Sequence, residues 1–252
     1  SSHGLKQNRL DGLLFDIGVF TNLSHDHLDY HKNFKDYFNS KLYLFQNLIK
    51  KKGSIIADSS ISQFQKIRSI AKKKNLRLLT VFGKNSELKL VSHEYENDKQ
   101  VLNIKYKSKK FKIKLNLIGK VQIKNVLMAI LAALKSGNSI NEVISKIHKL
   151  KSVEGRLEKI GVLRNGAKIL LDFAHTPDAL ETVLSNIKQQ FPKSKINLVF
   201  GCGGDRDKKK RLKMGKISSN YADKIFLTDD NPRTENPKKI RNEIKRGIKG
   251  KN

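Results

Sequence analysis

Ile196-Asn-Leu-Val-Phe-Gly-Cys-Gly-Gly-Asp-Arg-Asp207 is the stretch on which the fold of this chain turns. An apolar run of strand length passes directly into a polar loop with three glycines in four positions. On either side the same device recurs. Ile169-Leu-Leu-Asp-Phe173 leads into Ala174-His-Thr-Pro-Asp178, and Ile225-Phe-Leu-Thr228 leads into Asp229-Asp-Asn-Pro-Arg233. The runs start just under thirty residues apart, with a helix-length stretch between each pair. That is the rhythm of βαβ units, whose parallel strands need a crossover helix and join with one hand. In such sheets ligands bind beyond the carboxyl ends of the strands, so all three loops are expected at one sheet edge. Their acids, arginines, histidine and closely spaced backbone amides suit phosphates and an amino-acid substrate.

At 252 residues the chain is long enough for two units, each with its own core. No run approaches the length of a membrane span, and the first residues lack the pattern of a secretory leader. The single cysteine, Cys202, excludes an intramolecular disulfide framework and fits a reducing, cytoplasmic setting. The net charge of +29 invites a nucleic-acid reading. Yet forty-two of the 52 basic residues are lysine and they are spread along the whole chain, as in a lysine-, asparagine- and isoleucine-rich proteome. Neither nucleic acid nor membrane is an expected partner, and the chain is expected to be a monomer.

Every proline (Pro177, Pro192, Pro232, Pro237) lies in the last third, which places a domain boundary near Ser152, with units 1–152 and 153–252. In the first unit Ile17–Phe20 reads as a buried strand, followed by the loop Ser24–His31 and a helix from about Phe34 to Ile49. Ser54–Ala57 and Leu78–Phe82 are strand-like, and Val101–Tyr106 with Phe111–Leu117 form a hairpin pattern. Val121–Leu134 is an apolar helix stopped by Gly137, and Ser139 with Glu142 makes a capping box for the next helix. In the second unit Thr176 can cap a helix with Pro177 at its first position. Its buried face is Leu180, Val183, Leu184, Ile187 and Phe191. Asn236 and Pro237 repeat the device ahead of Ile240, Ile244 and Ile248.

Residue 1 is a serine, and Ser1-Ser-His-Gly-Leu5 reads as cut from the middle of a motif, while Gly250-Lys-Asn252 ends just past a helix. The sequence is therefore expected to be a fragment.

Several positions can carry chemistry. The loop with His25, His27, Asp29 and His31 holds three of the seven histidines and suggests a metal or phosphate role. It nearly matches the His-x-His-x-Asp-His pattern of zinc hydrolases, but Tyr30 stands in the last histidine's place; plain surface residues are the other reading. Lys41 falls on the apolar stripe of its helix with Tyr37, Phe38 and Phe45. A snorkelling stem with a solvated ammonium explains it, and so does a half-buried reactive amine; the residues alone favour the first. Gly201–Gly204 is neither a P-loop nor a dinucleotide fingerprint, though it allows close backbone approach to a ligand. Cys202 reads as a packed small residue rather than a nucleophile.

With these stretches assembled, the chain resembles the Mur ligases, the ATP-dependent family that builds the peptidoglycan stem peptide, and among them the diaminopimelate-adding branch. The carrying motifs are Ser1–Leu5, Phe20–Ser24 with Asp26–His31, Gly155–Glu158, Asp172–Leu180, Gly201–Lys208 and Thr228–Glu235. The resemblance implies an α/β fold: the later part of a P-loop-type central ATPase domain, then a Rossmann-like C-terminal ligase domain, both with mainly parallel sheets. It implies that Ser1, Gln7 and Arg9 contact a UDP-N-acetylmuramoyl dipeptide. Lys41 would be a catalytic, N6-carboxylated lysine that shares Mg²⁺ with His27, which reverses the reading from the residues alone. Asn125, Arg156, Asp172 and His175 would surround ATP. Arg206, Asp230, Asn231, Pro232 and Arg233 would receive meso-diaminopimelate. The implied reaction is amide formation through an acyl phosphate.

The sequence departs from the family pattern in lacking any G-x-x-x-x-G-K-[ST] loop. The acidic metal ligand ahead of Ser1, the UDP-binding domain and the last strands of the ligase domain are also absent. The 252 residues alone are therefore expected to be inactive. Lysine-adding and D-glutamate-adding ligases share the fold, but the Asp-Asn-Pro-Arg loop argues against them. A basic nucleic-acid-binding module and a zinc hydrolase are the readings from other classes.

Overall fold

A computed structural model describes residues 1–23 and 30–250 of the chain. They divide into two compact units, one of residues 1–116 with 120–150, the other of 117–119 with 151–252.

The first unit carries, in chain order, α1 (Ser2–Lys6), β1 (Phe15–Phe20), α2 (Phe34–Asn47), β2 (Ile49–Asp58), α3 (Phe64–Lys73), β3 (Arg77–Val81), β4 (Leu88–Glu96), β5 (Lys99–Tyr106), β6 (Lys109–Leu115), α4 (Val121–Lys135) and α5 (Ile140–Lys146). Its six strands form one sheet in sequence order, parallel from β1 to β4 and antiparallel from β4 to β6. On β2, Ile55, Ile56 and Ala57 are wholly buried, so both faces of the sheet are covered there. Ile55 and Ala57 pack with Phe20, Leu42, Phe45, Ile67 and Ile70 against α2 and α3. Ile56 points the other way by alternation, and α4 packs against β1, β2 and β3. A parallel sheet covered on both faces is what continuous apolar strands require.

The expected hairpin forms with Tyr106 opposite Lys109, so its turn is tighter than the lysine-rich stretch suggested, and Lys107 takes the left-handed backbone. The helix expected to reach Ile49 stops at Asn47, because Ile49 already pairs with Phe15 as the first residue of β2. Gly137, at φ +96°, and the bond from its amide to Leu134 end α4 as expected. Ser139 and Glu142 make both halves of the capping box.

The second unit carries β7 (Glu158–Val162), β8 (Lys168–Leu171), α6 (Pro177–Gln190), β9 (Asn197–Phe200), α7 (Lys209–Tyr221), β10 (Lys224–Leu227) and α8 (Pro237–Lys245). β9 and β10 pair in parallel. β8, however, pairs antiparallel with β7 in a separate two-stranded ladder, so the three apolar runs do not share one continuous parallel sheet. Leu198, Phe200, Ile225 and Leu227 pack with Leu180, Leu184, Met214, Ile240 and Ile244 from α6, α7 and α8. Leu117–Gly119 belong to this unit too: Ile118 packs with Leu157 and Phe191, and the Gly119 amide donates to Gln190 Oε1 at 3.0 Å.

Candidate active site

The site residues of the first unit are carried by α1, α2 and α4. Ser1 caps α1, its Oγ accepting from the Gly4 amide at 3.3 Å, while Gln7 and Arg9 stand exposed where that short helix unwinds. α1 is held to α2 by Lys6, which pairs with Asp36, and by Ser2, whose Oγ lies 3.0 Å from Nε2 of the buried His31. Nδ1 of His31 lies 3.6 Å from the Asp36 carboxylate, and burial pushes its pKa down. His31 stacks on Tyr37, and the Lys41 amine stands 5.0 Å from the centre of that same ring, on the half-buried side of α2. His27, with His25 and Asp29, lies outside the described residues. Among the described residues no three histidine, cysteine or acidic side chains gather as a metal-binding group.

Asn125 is exposed in the second turn of α4, bonded to Gln122. Its neighbour Lys124 reaches back to Asp58, buried at the carboxyl end of β2, at 2.5 Å. Although burial opposes ionisation of Asp58, Lys124 and Ser60 together hold its carboxyl below the usual range. This pair fixes the start of α4 and was not anticipated from sequence.

In the second unit Arg156, Asp172 and His175 come together around Gly155. Gly155 adopts φ +63°, and a side chain there would overlap the Phe173 ring. The Asp172 carboxylate accepts the amides of Leu157 and Ala174, both at 2.8 Å. Arg156 lies over Phe173 at 5.7 Å. His175 Nδ1 meets the Phe173 carbonyl at 3.1 Å, and the His175 carbonyl accepts from Lys210 at 2.8 Å. Lys210 thus ties this loop to the start of α7, although β8 and β9 do not pair.

The other two loops are laced into one body. The Gly204 amide donates to the Asn231 carbonyl at 2.9 Å. The Asp205 carboxylate accepts the Thr234 amide and hydroxyl, and the Asp205 amide donates to Glu235 Oε1 at 2.7 Å. Gly204 is required by contact: a Cβ there would stand 1.8 Å from the Pro232 carbonyl oxygen. Arg233 takes φ +49°, and its Nη1 donates to the Gly204 carbonyl at 2.6 Å. Asp230 and Asn231 are exposed beside it, the Asn231 side chain accepting the Arg233 amide. Arg206 is exposed and makes no described bond. Beneath lies Arg211, wholly buried, a residue that sequence reasoning passed over. Its one visible signal is the spacing of Arg211, Met214 and Ser218, which puts it on the inner stripe of α7. Cys202 is buried beside the Met214 sulfur at 3.7 Å, and burial pushes its thiol pKa up, as a packed residue requires.

Comparison with known proteins places this geometry. The Mur ligase middle domain matches residues 1–133, and the Mur ligase glutamate ligase domain matches residues 155–252. The chain belongs to the Mur ligase family. It is 39% identical over 249 residues to the UDP-N-acetylmuramoyl-L-alanyl-D-glutamate–2,6-diaminopimelate ligase of Rickettsia montanensis, covering 98% of this chain and 51% of that one. The enzyme of the same name from Chelativorans sp. is 39% identical over 244 residues. A solved structure of a diaminopimelate ligase aligns with 99% of the chain at 32% identity and a TM-score of 0.71, covering 51% of that protein. The chain therefore spans about half the length of the relatives it matches. As a Mur ligase it has the mixed, largely parallel α/β architecture that its sequence implied. Among the described residues no helix is long and apolar enough to cross a membrane.

Proposed function

We propose that this chain is part of an ATP-dependent ligase that joins meso-diaminopimelate to UDP-N-acetylmuramoyl-L-alanyl-D-glutamate. The observation that carries the reading is the laced pair of loops in the second unit, which offers Arg206 and Arg233 at one surface. Diaminopimelate differs from lysine by a distal carboxylate, and a guanidinium can hold a carboxylate through two parallel bonds. Arg233 commits Nη1 to Gly204 and keeps its other nitrogens for a ligand. The names of the relatives point to the same amino acid.

In the proposed reaction an oxygen of the D-glutamyl γ-carboxylate attacks the γ-phosphorus of ATP and ADP leaves. The amine nitrogen of diaminopimelate then attacks the acyl carbon, phosphate leaves, and the nitrogen loses a proton. Ser1, Gln7 and Arg9 are proposed to hold the dipeptide substrate, with Asn125, Arg156, Asp172 and His175 around the nucleotide. Holding acid, nucleotide and amine together supplies the effective concentration that such a step needs. For Lys41 we propose a carbamate, formed when the neutral amine adds to carbon dioxide and releases a proton. That converts the only cation on the inner stripe of α2 into an anion able to orient a phosphate donor.

The test is phosphate release by the protein expressed from its complete gene, given ATP, the UDP-dipeptide and either diaminopimelate or L-lysine. Turnover should require diaminopimelate. Charge-assisted bonds contribute about 1.5–3 kcal/mol each, so Arg233→Ala should raise its Michaelis constant roughly 10- to 150-fold. The constants for ATP and the dipeptide should stay put. Equal use of lysine, or an unchanged diaminopimelate constant in the variant, overturns the assignment.

A further inference from the structure

We infer that Arg211 is a positioning residue of the amino-acid subsite: from beneath, it sets where both Arg206 and Arg233 present their guanidinium groups. The inference rests on the proposed role of those two arginines.

Arg211 projects from the first turn of α7 and is wholly buried, yet none of its side-chain bonds goes to its own helix. Nη2 donates to the Gly203 carbonyl at 3.2 Å and to Glu235 Oε1 at 2.8 Å. Nη1 donates to Glu235 Oε2 at 2.9 Å and to Glu243 on α8 at 2.7 Å. One planar group therefore touches the glycine loop, the Asp229–Glu235 loop and α8 at once. A buried ion pair is a poor device for stability alone, since desolvation offsets much of the attraction. Its use here is geometric.

The bonds close a ring. Gly203 is held by Arg211, Arg211 by Glu235, Glu235 by the Asp205 amide, and the Asp205 carboxylate by the Thr234 amide and hydroxyl. Arg206 is the chain neighbour of Asp205, and Arg233 of Thr234. Both proposed ligand-binding guanidinium groups therefore hang directly from ring members. The ring is also electrostatically closed: Arg211 and Lys208 face Glu235, whose carboxyl is held down to about 2, first by the bond from Arg211. Lysine cannot replace arginine in this place, because one ammonium cannot span Gly203, both oxygens of Glu235 and Glu243 in a fork.

The experiment compares Arg211→Lys with wild type by hydrogen exchange resolved to single amides. The Gly204, Asp205 and Thr234 amides, all bonded across the two loops, should exchange at least about 10-fold faster in the variant. The amides of the β9–β10 ladder should keep their rates. Unchanged loop amides overturn the inference, and so does an equal acceleration of the ladder, which would mark Arg211 as a general stabiliser. If Arg211→Lys does not fold, Glu235→Gln opens the same ring from the other side and is read in the same way. In the protein from the complete gene, Arg211→Lys should raise the diaminopimelate constant about 10-fold or more, with the ATP constant within twofold. A wild type that ignores diaminopimelate would sink the proposed function and leave the exchange result to stand on its own.

Discussion

A lysine on the inner stripe of a helix has to place its charge somewhere, and Lys41 places it over the face of Tyr37. Such a contact is worth about 0.5–2 kcal/mol to the ammonium and is given up when the amine loses its proton to react. If the working form is a carbamate, Lys41→Ala in the complete protein should lose most activity, and a short carboxylate or bicarbonate should restore part of it. Lys41→Arg should be inactive, because a guanidinium takes up no carbon dioxide; an active arginine variant would end the idea. Lys41 was legible because its spacing from Tyr37 and Phe45 set a charge among apolar residues. Arg211 was not. It sits at the end of the run Lys208–Arg211, and only its distances of three and seven residues from Met214 and Ser218 separate it from its solvated neighbours. Nothing local to α7 says that Glu235 and Glu243 will close over it.

At the scale of the element, the helices of the second unit announced themselves through their first turns. Thr176 accepts the Ala179 amide at 3.3 Å ahead of Pro177, and Asn236 accepts the Lys238 amide at 2.9 Å ahead of Pro237. Cap and proline are local signals, so they survive any tertiary context. Thr176→Ala should therefore destabilise the chain by about 1 kcal/mol; a urea midpoint unmoved within error would show that α6 needs no cap. Strands are less local. β4 reads Leu-Lys-Leu-Val-Ser-His-Glu-Tyr-Glu96, a weak alternation that becomes a strand by pairing along its length with β5. β7, with Gly161 next to its last residue, is equally mute until β8 lies beside it. β8 itself was seen as a strand, but its apolar run could not reveal that its partner would be β7 rather than β9. Strand partners are chosen by contacts distant in sequence, and the thirty-residue rhythm carried no information about them.

For the molecule as a whole, 52 basic residues face 23 acidic ones, and few described lysines have an acidic partner. The acids that matter are spent on architecture: Asp36 joins α1 to α2, Asp58 anchors α4, and Glu235 with Glu243 enclose Arg211. The remaining positive charge repels itself. Added sodium chloride should thus raise the melting temperature between about 0.01 M and 0.15 M, where the screening length shortens from about 30 to 8 Å. A melting point that falls with salt would mean that the ion pairs outweigh the repulsion. The path of the chain between its two units has a different consequence. Leu117–Gly119 leave the first unit, place Ile118 beside Leu157 and Phe191, bond Gly119 to Gln190, and hand the chain back at Lys120. The second unit is therefore discontinuous, and no single scission of the polypeptide releases it whole. A piece starting at Lys151 would lack Ile118 from its core and lose the bond from the Gly119 amide to Gln190. The backbone crosses between the two units three times, at 116–117, 119–120 and 150–151, so a cut at any one of these places leaves two covalent links still joining them.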